Sequence, residues 1–220
     1  MKNVVTVIGL VLSLVAGSGA QATEPADLGL TKIKEARSSV AYIKANQDFS
    51  HYDKIAIADI GTDDVKVNQP SRSVVQHSDW KMDDDRQDRV QAMHRKAFDR
   101  EFAEAQDLEL VDTVDENTLV LVTQLSEVSP AVGYDPQSAA GRTNVYSAGA
   151  GSAVIKMYLL DGKTGEVVAA VANARALGGG WVQHNNSVTN GSDVQMAFNI
   201  WAKQARSAVD NLPQLAAEAG

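Results

Sequence analysis

Four histidines, at positions 51, 77, 94 and 184, are the residues that could bind a metal or move protons near neutral pH. No two of them stand three or four apart on one helix, and no His-Glu-x-x-His occurs, so the spacing of a zinc hydrolase is missing. The chain has no cysteine, which removes thiol nucleophiles, thiolate metal sites and disulfides. Acids are abundant, and nothing in their spacing singles out a catalytic pair. Gly149-Ala150-Gly151-Ser152 lacks the Gly-x-Ser-x-Gly pattern of a nucleophile elbow. Gly162-Lys163-Thr164 imitates the end of a phosphate-binding loop. Met157 stands where that loop needs its first glycine, however, and strand-forming residues follow in place of a helix. Asp83-Asp84-Asp85 is followed by neither the glycine nor the closing glutamate of a calcium loop, and reads as the acidic start of a helix. The expectation is a protein without catalytic residues, cofactor or metal.

What remains is recognition chemistry. Tyr134, Tyr146, Trp181 and His184 fall in two stretches poor in core residues, Ser129–Ala150 and Gly178–Gly191. Long loops of this kind inside a compact domain are commonly functional, and aromatic anchors carry much of the energy of many interfaces. These four are the candidate partner-binding residues, with Trp181 as the anchor.

The elements that must position the two loops are legible around them. Gly151 to Leu177 alternates apolar residues on both sides of Asp161-Gly162-Lys163-Thr164-Gly165, which is turn chemistry, and predicts a central β-hairpin. Lys54–Ile60 predicts an interior strand, resumed at Val65 and Val67 beyond a bend at Gly61. Leu108–Val111 and Thr118–Val128 predict two more, the second leaving the sheet at an edge. Val90, Met93, Ala97, Phe98, Phe102 and Ala105 form one stripe of a helix over Asp83–Ala105, with His94 on its flank. A last helix begins at Ser192 or Asp193 and stops near Pro213. The fold class is α+β: one domain, a mostly antiparallel sheet with a central hairpin, and two long helices packed on one face.

Composition bounds the rest. The chain has 220 residues and a formal net charge of −8, which disfavours nucleic acid as a partner. Residues 1–22 read as a secretory leader: Lys2, an apolar run from Val4 to Ala16, and Ala20-Gln21-Ala22 as the cleavage site, with Thr23 as the mature start. After cleavage no integral membrane span is expected, and without cysteine no lipid attachment. Residues 23–47 read as an arm with a short strand, 48–213 as the α+β domain and 214–220 as a tail.

Tyr42-Ile43, the run Asp48-Phe49-Ser50-His51-Tyr52-Asp53-Lys54-Ile55, and Gly151-Ser152-Ala153 through Leu160-Asp161-Gly162-Lys163-Thr164-Gly165-Glu166-Val167 resemble the bacterial envelope family known as domain of unknown function 3313 (DUF3313). The resemblance runs from Tyr42 to Leu212 and implies a small cell-envelope protein. Many members carry a lipid-bearing cysteine that this chain lacks. The family supplies no catalytic residue. Leader and resemblance together lead us to expect an exported, periplasmic or secreted, non-enzymatic accessory or binding protein whose partner is an envelope protein or a glycan. The alternative is a periplasmic hydrolase with an unmarked carboxylate or histidine site.

Overall fold

The computed structural model describes residues 28–36, 38–69, 80–105, 107–131, 146–147, 149–178, 183–184 and 187–220. The leader, the mature start at Thr23, His77, Tyr134 and Trp181 lie outside them.

The sheet is built on the expected hairpin, named here by its place in the chain as β8 (Gly151–Asp161) and β9 (Val167–Leu177). Ala153, Ile155, Met157 and Leu159 are buried in alternation, as the sequence pattern requires. At the turn, Asp161 Oδ1 accepts from the Lys163 amide at 2.9 Å, the Thr164 amide at 2.6 Å and Thr164 Oγ1 at 2.9 Å. The phosphate-loop imitation is therefore a hairpin tip.

β6 (Thr118–Pro130) runs antiparallel beside β8 from Leu119↔Asp161 to Pro130↔Gly151. On its other side lie β3 (Lys54–Ile57) and then β4 (Lys66–Val67), both parallel to it, with Gly61 bridging to Gln124 between them. β6 thus stays flanked to its end, because β4 takes over where β3 stops; the expected edge position is not what the fold uses. β5 (Glu109–Leu110) lies outside β3. Beyond β9 come β2 (Ser39–Ile43) and then β1 (Thr31–Ala36) at the edge, so the segment read as an arm contributes two strands. All the pairings in this sheet except those of β3, β4 and β5 are antiparallel.

Helix α1 (Asp84–Ala103) is capped by Asp83, whose carboxylate accepts from the Arg86 amide at 3.0 Å and ion-pairs with the Arg86 guanidinium. The cap supplies an acceptor to an amide that the first turn leaves unpaired. Its buried stripe is His94, Ala97, Phe98 and Phe102. His94 is a core residue and not a flank residue, since spacing of four puts it in line with Phe98 and Phe102. Helix α2 (Ser187–Asp210) begins before the expected cap at Ser192 or Asp193. A glycine inside a helix costs about 1 kcal/mol relative to alanine. Gly191 carries that cost here; a Cβ on it would lie 3.6 Å from the Met93 methyl of α1, an ordinary contact distance. Asp193 is consequently a buried helix residue. The stretch read as a tail holds a third helix, α3 (Leu212–Glu218), with Pro213 in its first turn, where no amide is needed, and Leu212 and Ala216 buried.

α1 and α2 share one core with a single face of the sheet, in which Phe98, Phe102, Phe198 and Trp201 meet Ile55, Leu119, Leu121, Ile155 and Leu159. Truncating a buried phenylalanine such as Phe98 to alanine typically costs 3–5 kcal/mol. Trp201 also donates its indole N–H to Asn173 Oδ1 of β9 at 2.8 Å, so the one polar atom of that ring is satisfied. A smaller cluster on the opposite face joins Val120, Val122, Leu160, Val167 and Ala170 to Leu30, just before β1. No helix among the described residues is long and apolar enough to cross a membrane.

Candidate functional site

The register of the hairpin decides where the two candidate loops begin. Gly151 opens β8, Leu177 closes β9, and the two are direct partners. The loop that precedes β8 and the loop that follows β9 therefore leave from the same end of the sheet. They also meet beyond it. β7 (Tyr146–Ser147) and β10 (Gln183–His184) form a two-stranded antiparallel sheet with His184 opposite Tyr146 and Gln183 opposite Ser147. Two of the four candidate partner-binding residues are thus cross-strand neighbours. The other two, Tyr134 and Trp181, lie outside the described residues.

The base of these loops is knitted by backbone contact. The Ala150 amide donates to the Leu177 carbonyl at 2.8 Å, and the Ala131 amide to the Ala150 carbonyl at 3.0 Å. Gly151 has φ +124, and a Cβ there would sit 2.1 Å from the Ser129 carbonyl oxygen. Gly178 has φ +116; a Cβ on it would meet Gly149 Cα at 2.6 Å and Asp193 Oδ2 at 2.7 Å. Only glycine fits either position, by φ and by space. The start of α2 is brought by the same contact against the loop base.

A third segment arrives at this end. β4 pairs with Glu127 and Val128 near the end of β6, and the chain returns at Trp80 to enter α1. A cavity of about 380 Å³ lies between them, with Val67, Trp80, Met82 and Gln87 in its walls. Trp80 is fixed by its backbone: its carbonyl accepts from Gln69 Nε2 at 2.7 Å and its amide donates to Gln69 Oε1 at 3.1 Å. The Arg86 guanidinium lies 5.1 Å from the centre of the indole ring. Nothing in the sequence pattern singled out Trp80. Its partnership with Gln69 spans eleven residues and appears only once β4 and α1 are placed.

The described groups whose protonation is clearly shifted sit elsewhere. Tyr52 donates to Asp161 Oδ2 at 2.6 Å at the hairpin tip; burial first, and then this carboxylate, push the phenol well above its usual range. Burial works to raise Asp161, but hydrogen bonds from Tyr52, Thr164 and Lys163 prevail and hold it low. Lys54 donates to Asp115 at 2.7 Å, and with Thr118 and Asn117 it lowers that carboxyl to about 2. Of the described histidines other than His184, His51 is exposed beside Tyr52, with ring centroids 3.9 Å apart, and His94 is buried in the helix layer. The imidazole of His94 lies 4.4 Å from Phe98 and 5.9 Å from Phe198 between ring centroids, and neither nitrogen has a hydrogen-bond partner. Burial, and then the nearby Arg95 charge, lower it to about 4, so it is neutral at pH 7. The fold does not bring these two histidines together.

The architecture defines an α+β domain whose eight-stranded sheet carries its helices on one face. The chain belongs to the family described as "Protein of unknown function (DUF3313)", whose profile matches residues 23–205. Solved structures with a similar outline include a PelC dodecamer from Paraburkholderia phytofirmans, at 10% identity over 78% of this chain and 96% of that one, with a TM-score of 0.40. A Xanthomonas campestris protein of the DUF330 family is 10% identical over 76% of this chain and 89% of that one, with a TM-score of 0.43. The hypothetical protein CT253 from Chlamydia trachomatis is 10% identical over 71% of this chain and 97% of that one, with a TM-score of 0.33. No curated protein matches the chain.

Proposed function

We propose that this is an exported cell-envelope protein that works by binding, holding an envelope protein or a glycan at the loop end of its sheet. The observation that carries the reading is the pairing of His184 with Tyr146. It joins two loops, far apart in sequence and both marked by their composition, into one surface on a rigid base. Loops held by a scaffold are where binding residues concentrate. Two of the carboxylates with altered protonation, Asp115 and Asp161, are engaged at the opposite end in contacts that hold strands and turns together. The leader pattern of residues 1–22 supports export.

The test is site-specific photocrosslinking in cells, with a crosslinking side chain at position 146 or 184 and a control at position 163 on the hairpin tip. A discrete adduct from 146 or 184 and none from 163 is expected. Equal adducts from both ends, or adducts from the tip alone, would remove the loop end as the binding surface. Release of a chain beginning at Thr23 by osmotic shock checks the export half; a chain that keeps Met1 and stays in the cytoplasm contradicts it.

A further inference from the structure

We propose that His94 makes the seam between α1 and α2 an acid-sensitive switch: when its imidazole takes up a proton, the first turns of α2 lift from α1 and release the base of the two loops. The inference goes beyond the binding reading, since it concerns what holds the loop base and not what the loops hold.

The ring stands in the core without a polar partner. His94 is fully buried and neither of its nitrogens is hydrogen-bonded. Phe98 of its own helix lies against one side of it, and Phe198 of α2 meets it edge-on. A neutral imidazole is tolerated there at the loss of its hydrogen bonds. An imidazolium would add a bare charge in an apolar seam, which is far more costly.

The neighbouring charges do not relieve it. Among the described residues, Arg95 on α1 and Asp59 just beyond β3 are the charged groups that act on the ring. Arg95 disfavours a second positive charge. Asp59 favours one, but its Oδ1 already accepts from the Arg95 guanidinium and from Gln91 Nε2, the latter at 2.6 Å. Both donors are fixed in turn: Gln91 Oε1 accepts from the Ile60 amide at 3.0 Å, and Arg95 donates to the Ile57 carbonyl at 3.1 Å. From α2 the ring meets Phe198, and β6 faces the helices with Leu121, Thr123 and Leu125, none of them charged. A protonated ring therefore has to reach water, and the seam must part for it to do so.

The turns of α2 that meet His94 also hold the loop base. Gln195 Nε2 donates to the Met93 carbonyl at 3.2 Å, one residue before His94. Asp193, buried two residues earlier in the same helix, stands where a Cβ on Gly178 would meet its Oδ2 at 2.7 Å. Next to Gly178, the Leu177 carbonyl accepts from the Ala150 amide. The second half of α2 has moorings of its own, through the Trp201 bond to Asn173 and the buried Ala205 and Val209. The helix can thus part from α1 at its start while its remainder stays on the sheet. Linkage sets the size of the effect. The ring is lowered to about 4 when enclosed and returns to 6.5 when freed, so the open population rises about twentyfold between pH 7 and pH 5.

Amide hydrogen exchange of the full mature chain at pH 7 and pH 5, corrected for the intrinsic effect of pH on exchange, tests this. The amides of residues 193–198 and of Ala150 should exchange through a more frequent opening than those of β6 and β8 at both pH values. At pH 5 they should together lose about tenfold or more of their protection. In His94→Phe, which keeps a ring in the seam but takes no proton, the loss should shrink to about twofold or less. His184→Gln, which removes the titrating group of the loops themselves, should behave as the parent does. Unchanged protection of residues 193–198 at pH 5 overturns the proposal, as does a loss that leaves Ala150 untouched. So does one opening shared by α2, β6 and β8, because acid would then act only by unfolding the whole domain. Disappearance of the loss in His184→Gln would move the switch to the loops and overturn it too. If His94→Phe does not fold, the profile of the parent at the two pH values decides.

Discussion

The two ends of the sheet are held by different balances of contact. At the hairpin tip, carboxylates do the side-chain tying, while the backbone also closes in at Gly162, where a Cβ would lie 2.5 Å from the Asp115 and Thr118 carbonyl oxygens. Asp161 gathers Tyr52, Lys163 and Thr164, Asp115 gathers Lys54, Thr118 and Asn117, and Lys44 reaches Glu166 at 2.8 Å. At the loop end, backbone meets backbone, with glycines at the points of closest approach. The first arrangement tolerates change, because a lost side-chain bond can be partly replaced by water. The second does not, because there is no side chain to move aside. A surface meant to present loops gains from such a base: the loops can vary while their anchor points stay fixed.

The largest expected effect is at the loop end. Gly151→Ala forces a Cβ to within 2.1 Å of the Ser129 carbonyl at a φ of +124, and should cost about 3 kcal/mol or more. Chemical denaturation of the variant measures it. A loss of under about 1 kcal/mol would mean that the strand ends give way easily and that the rigid-base argument is wrong.

Acid should separate the tip from the core between the ends. His94 is lowered from the ordinary 6.5 to about 4, so the unfolded chain binds its proton first. The stability from keeping it neutral is therefore complete above pH 6.5, falls as pH drops toward 4 and does not fall further below that. The loss is about 3 kcal/mol at most by this shift. Asp115 and Asp161 are held low, so their contributions are complete above the ordinary carboxylate value and are lost only below it. Stability profiles of the parent and of His94→Leu check this. The variant should lose the slope between pH 6.5 and 4 and keep the one below. An identical slope in both proteins would take His94 out of the account.

The smallest of the three effects is at the tip. Asp161→Asn keeps the shape but exchanges a charged acceptor for a neutral one facing Tyr52 and the turn amides. It should cost about 1–3 kcal/mol. It should also leave crosslinking from positions 146 and 184 unchanged. Loss of those adducts in a folded Asp161→Asn protein would show that the two ends are coupled.

How much of this was legible beforehand varies with the range of the interaction. The hairpin over Gly151–Leu177, the β3 strand and the α1 stripe follow from period and turn chemistry, which act between near neighbours in the chain. The family follows from the same stretches, read as the resemblance to DUF3313. The aromatic loops were recognisable by composition as out of place in a core. Their pairing through His184 and Tyr146 was not, because strand register between segments almost forty residues apart leaves no local mark. The polarity of His94 points to the helix flank, whereas its spacing to Phe98 and Phe102 places it in the buried stripe. α2 starts earlier than its cap residues suggest: glycine locally favours a loop, and the helix nevertheless runs through Gly191 where it packs on α1, with Gln195 Nε2 donating to the Met93 carbonyl at 3.2 Å. Sequence alone determined the element types, the α+β class and the acidic character, because each depends on residue identity and short spacing. Tertiary structure alone decided that the two loops pair through β7 and β10, that β4 shields β6 and that Trp80 lines a cavity. Each of these depends on which distant backbones come within hydrogen-bond reach, and chain closure sets that only after the core has formed.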